Sequence, residues 1–146
     1  MQAMYAYQRA GLTQEKTIAE AYHLRVLAEQ KAAAASSGDT EQANAFVKAA
    51  RAFANAAEVV DGAQLKRTYY RICAECFVNA GDSASAASFF ERAAEYDLSA
   101  KQYRAAGSFD DAVRLTKTYE AEMQPTVVES IIDVSKLFYL KSGDIE

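Results

Sequence analysis

Apolar residues recur along this chain at helical spacing. Phe46, Ala49, Ala50, Phe53, Ala57 and Val60 fall on one stripe, and Ala86, Phe89, Phe90 and Ala93 on another. Each stripe mixes alanine with phenylalanine, so backbones can approach closely at the small residues while rings fill the remaining gaps. A second pattern closes such segments: an aromatic, two residues, a small residue and a glycine. It begins at Tyr7, Phe77, Tyr103 and Tyr139 and ends on Gly11, Gly81, Gly107 and Gly143, with glycine-free echoes from Phe53 to Ala57 and from Phe90 to Ala94. The glycine supplies a left-handed C-cap, and the aromatic one turn earlier seals the helix against its neighbour. Ser108 with Asp111, and Thr126 with Glu129 after Pro125, have the spacing of N-terminal capping boxes.

These signals predict helices near 2–10, 13–35, 40–60, 63–80, 83–95, 98–106, 108–123 and 126–142, about eight in all, with no linker long enough to divide domains. The expected architecture is all-α, antiparallel helix pairs stacked through residues 1–146 as one helical-repeat domain. Composition agrees: 31 alanines stand against six glycines and one proline, a balance that favours long helices over a turn-rich β-fold. Intervals between the closing motifs are unequal, so the array is read as degenerate. The last predicted helix carries Val127, Val128, Ile131, Ile132, Val134, Leu137, Phe138, Tyr139 and Leu140 on more than one face. Terminal repeats usually present a polar outer surface, so this helix is expected to receive a further repeat or a second copy of the chain, and the sequence reads as a fragment of something longer.

Residues 67–100 resemble a tetratricopeptide repeat (TPR), a helix-turn-helix unit of about 34 residues. Tyr70, Ala74, Phe77, Gly81, Ala86, Phe90 and Ala93 fall at that family's large and small packing positions. Cys73 departs from the usual leucine, and Leu98 from the usual closing proline; the next unit keeps Tyr103, Gly107 and Ala112 but has Thr116 where an aromatic is expected. A narrower resemblance, carried by the run from Tyr69 to Phe77, the Tyr103 unit and Ile131 to Val134, is to the helical-repeat regions of large fungal helicase-like proteins with TPR and ankyrin segments. These residues hold no phosphate-binding loop, so any ATPase of such a protein would lie elsewhere.

The TPR resemblance implies an irregular α-solenoid with a peptide-holding groove on the face of the first helix, here Arg71, Glu75, Val78 and Asn79. A chaperone-binding subclass places a cation and an asparagine at the first two positions to clamp a C-terminal carboxylate. Glu75 stands at the second and its charge would oppose that ligand. The expected partner is therefore a protein or peptide of another kind.

Other chemistry finds few residues. His23 is the only histidine, so the Glu20 and His23 spacing lacks the second motif a di-iron site needs, any Ser-His-Asp or Cys-His arrangement would have to use His23 with no nucleophile-elbow sequence beside it, and His23 reads as a surface or packing residue. Cys73 and Cys76 lie inside a helix with no second pair and read as packing residues. No catalytic residue, metal or cofactor is expected. Lys66, Arg67, Tyr69 and Arg71 form a basic and aromatic mixture that could contact RNA or single-stranded DNA, but a net charge of −4 disfavours nucleic acid; the remaining alternative to an interaction scaffold is a structural spacer within a large helicase-like protein. The sequence shows neither a signal peptide nor a continuous apolar run of membrane length, and its cysteines form no disulfide framework, so an intracellular chain is expected, cytoplasmic or nuclear.

Overall fold

A computed structural model describes residues 2–34 and 39–142 of the chain, with the side chains of 11–34, 40–138 and 140. Its described elements are all helical: α1 (Gln2–Ala33), α2 (Asp39–Val59), α3 (Ala63–Asn79), α4 (Ser83–Arg92), α5 (Tyr96–Ala105), α6 (Phe109–Tyr119), a 3-10 turn (Glu120–Glu122) and α7 (Pro125–Ser142). Gly11 does not stop a helix, because α1 runs through it, and the two helices expected over 2–10 and 13–35 are one. Its successor explains why. Gly81 and Gly107 are followed by Asp82 and Ser108, residue types that start helices, whereas Gly11 is followed by Leu12. An interior glycine costs a helix only about 1 kcal/mol, which continuation of the hydrogen-bond ladder outweighs. The motif from Tyr139 to Gly143 ends outside the described residues.

Three successive turns share one geometry. Gly81 and Gly107 have φ of 81° and 79°, and Ala94 adopts the same left-handed conformation at 60° without being glycine. In each turn the residue after the left-handed position donates its N–H to the carbonyl of the motif's aromatic: Asp82 to Phe77 at 2.9 Å, Glu95 to Phe90 at 2.9 Å and Ser108 to Tyr103 at 2.8 Å. The left-handed residue itself bonds back to Val78, Glu91 or Arg104 at 3.0 Å. These are Schellman caps, and they recur at a constant interval of 13 residues. The buried small residues keep the same interval: Cys73, Ala86, Ser99 and Ala112 are all fully buried, one on each of α3 to α6.

Helix starts differ from expectation. Asp82 caps α4 by accepting from the Ser85 N–H at 3.1 Å and the Ser85 hydroxyl at 2.7 Å. Ser108 makes no side-chain cap bond, and α7 starts at Pro125 with Thr126 already inside it, so neither expected capping box forms. Pro125 suits the first helical position, where no N–H is needed. The preceding Gln124 N–H is taken by Asp97 Oδ1 of α5 at 3.1 Å, which fastens the start of α7 to α5.

Each helix packs on its chain neighbour, and α5 also touches α7. The two apolar stripes read from the sequence do form the interior: Phe46, Ala49, Ala50, Phe53, Ala57, Val60, Ala86, Phe90 and Ala93 are buried and Phe89 half-buried. One core cluster joins α1 to α4 around Phe53, whose ring meets Tyr22 edge-on at 5.1 Å and Tyr69 at 6.2 Å. A second joins α5 to α7 around Leu115 and Ile131. The seam between them is polar. Within it, Ser99 Oγ donates to the Ala87 carbonyl at 2.7 Å, and Glu91 of α4 accepts from Tyr103 of α5 and Arg114 of α6.

Candidate interaction groove

The outward face of α3 is set by helical spacing. With Cys73, Cys76, Phe77 and Ile72 turned into the core, Gln64, Arg67, Arg71, Glu75, Val78 and Asn79 are left exposed on the opposite stripe. All four groove residues expected from the sequence therefore reach solvent. They do not line one continuous depression. Glu75, Val78 and Asn79 share a concavity of about 460 Å³ with Phe90 of α4 and Leu98 and Gln102 of α5. Arg71 belongs to an adjoining concavity of about 250 Å³, where Gln64, Arg67 and Thr68 face the Ala93–Glu95 turn.

The first concavity has an apolar side and a polar one. Val78 and Leu98 are 40% and 39% exposed, a large surface for aliphatic side chains, and Phe90 is buried beneath them. Asn79 and Gln102 bring amides that can donate and accept at once. The second concavity carries two guanidinium groups against one carboxylate, Glu95. Arg71 and Glu75, one turn apart at 3.9 Å and both about half exposed, form a loose pair at the junction of the two. The sequence pattern does not point to Leu98 or Gln102 as groove residues; Leu98 stands out only as a departure from the closing proline usual in the repeat that residues 67–100 resemble. Their signal lies in the 13-residue interval, which places α5 beside α3 once the turn at Ala94 is recognised.

The basic and aromatic patch is largely taken up by the fold. Tyr69 is 7% exposed, packed among Tyr22 and Phe53, so its ring offers no face for a base. Tyr70, the expected inward aromatic, does pack against the core, half-buried and stacked on Phe89 at 6.0 Å beneath the Arg92 guanidinium, and Tyr69 goes in more deeply beside it. Lys66 Nζ donates to the carbonyls of Ala57 and Glu58 at 3.1 and 3.4 Å, capping the end of α2. Arg67 and Arg71 stay exposed.

Cys73 and Cys76 are both buried. Burial, with the neighbouring Cys76 sulfur, pushes the Cys73 thiol up to about 12 despite a hydrogen bond to the Ala54 backbone. Burial likewise lifts Cys76 to about 11, against the nearby Arg25. Thiols held protonated in this way are packing groups. His23 is exposed on α1, and no group of three or more His, Cys, Asp or Glu among the described residues could hold a metal ion. No helix among the described residues is long and apolar enough to cross a membrane.

On α7, Val127, Val128 and Ile131 are buried, while Ile132, Leu137 and Leu140 are exposed, so the breadth of apolar surface expected there is present. The side chain of Tyr139 lies outside the described residues. The chain matches no family model, no curated protein and no solved structure.

Proposed function

We propose that this chain is a non-catalytic interaction scaffold: antiparallel helix pairs stacked as a TPR-like solenoid, with a peptide or protein partner held against α3 and α5. The observation that carries the reading is the concavity between Val78 and Leu98, where exposed aliphatic surface is flanked by the side-chain amides of Asn79 and Gln102. That combination suits an extended chain, with an apolar side chain buried and its backbone hydrogen-bonded. No cofactor is required.

A contact surface for single-stranded nucleic acid is the weaker reading. Two of its four residues are engaged elsewhere, Tyr69 in the core and Lys66 on the α2 carbonyls. Immobilised protein exposed to cell lysate, with and without nuclease, separates the two. A protein partner that survives nuclease and is lost with Leu98→Asp supports the groove. Recovery that disappears with nuclease contradicts it.

A further inference from the structure

Arg71 and Val78 stand on one stripe of α3, seven residues and therefore about 10.5 Å apart along the helix axis. An extended peptide covers that distance in three residues, at about 3.3 Å each. The two concavities thus lie one short peptide step apart, one aliphatic and the other lined by Arg67 and Arg71 against the single carboxylate of Glu95. Between them sits Glu75, exposed and only loosely paired with Arg71 at 3.9 Å.

We propose that the partner is a linear segment with a large aliphatic residue and, three positions away, an acidic one, and with no acidic residue at the two positions between. The aliphatic side chain fills the space between Val78 and Leu98 over Phe90, and the acid reaches Arg67 and Arg71. Glu75 faces the intervening positions, where a carboxylate would meet like charge at short range; it selects against acidic runs directly beside the anchor. Asn79 and Gln102 hold the backbone. This specificity rests on the groove reading above and adds a charge pattern to it.

The test is fluorescence anisotropy with short labelled peptides built on leucine, in both chain directions. One set carries glutamate three positions from the leucine, another carries lysine there, and a third carries glutamate at all three positions. Tightest binding is expected for the first set, weakened about fivefold by lysine and by the acidic run. For the double variant Arg67→Glu with Arg71→Glu the preference should invert in favour of lysine, and Glu75→Gln should remove the penalty on the acidic run. Equal binding of all three sets overturns the charge pattern and leaves the groove standing. Binding by none, with Leu98→Asp indistinguishable from the unaltered chain, overturns the groove as well.

Discussion

The Glu91 carboxylate on α4 and the Arg114 guanidinium on α6 meet in a two-point hydrogen bond, Nη2 to Oε1 at 3.0 Å and Nη1 to Oε2 at 3.3 Å, across 23 residues of sequence. Tyr103 of α5 adds a third contact, its hydroxyl donating to Oε1 at 3.0 Å. Three consecutive helices are thereby tied at the polar seam between the two core clusters. Arg114 is half exposed, so solvent screens the charge and the fork geometry matters more than Coulomb attraction. Arg114→Ala is expected to lower the unfolding free energy by about 0.5–1 kcal/mol, and Tyr103→Phe by about 1 kcal/mol, measured by urea denaturation. A double-mutant cycle with Glu91→Gln should show coupling, whereas strict additivity would mean the contacts do not act through Glu91.

The same carboxylate sets an acid dependence. Burial alone would raise the Glu91 carboxyl, but hydrogen bonds from Arg114 and Tyr103, with the guanidinium charge, outweigh it and hold the group below its ordinary 4.5. A folded value below the unfolded one means the stabilisation is fully present above about 4.5 and is lost as pH falls through the folded value. Glu91→Gln should flatten this part of the stability-against-pH curve, leaving the neutral-pH side unchanged in slope. An identical acid slope in the variant would remove Glu91 from the account.

Ala94 is the one described non-glycine residue with positive φ, in a turn otherwise built like those at Gly81 and Gly107. A side chain in the left-handed region costs about 1–2 kcal/mol, part of which the greater unfolded-state entropy of glycine offsets. Ala94→Gly should therefore raise stability by up to about 1 kcal/mol, and Gly107→Ala should lower it by a similar amount. Thermal melts of the two variants check both signs.

The buried thiols give a further expectation. With Cys73 at about 12 and Cys76 at about 11, neither is ionised near neutral pH, and both are enclosed. Alkylation should proceed at the rate of unfolding, and a fast phase in the native protein would refute their packing role.

Much of this fold was legible from residue spacing. The alanine and phenylalanine stripes identify the inner faces of α2 and α4 because helical period leaves no other placement for Phe53 and Phe90. Gly81 and Gly107 announce their turns because the left-handed conformation favours glycine. Ala94 hides an identical turn by lacking the glycine, and Gly11 advertises a turn that the helix overrides. Only the constant interval separating Phe77, Phe90 and Tyr103 discloses both the missing cap and the repeat that lets α3 and α5 border one concavity. Arg71, Glu75, Val78 and Asn79 could be placed on one exposed face by period alone. Their opposing wall, Leu98 and Gln102, comes from α5, two turns further along the chain, and the pattern within either helix does not relate the two; only the 13-residue interval does. The deeper burial of Tyr69 beside the half-buried Tyr70 is likewise decided by distant residues, Tyr22 and Phe53, which surround it.

The most direct test of an interaction groove between α3 and α5 is paired measurement of partner binding and melting temperature for Leu98→Asp, with Lys117→Glu on α6 as the control away from these residues. Leu98 is 39% exposed, so the substitution removes aliphatic contact surface without emptying the core. The expected result is loss of binding for Leu98→Asp at an essentially unchanged melting temperature, with the control retaining both. Undiminished binding by Leu98→Asp, or loss of binding only in step with loss of folding, would contradict the groove.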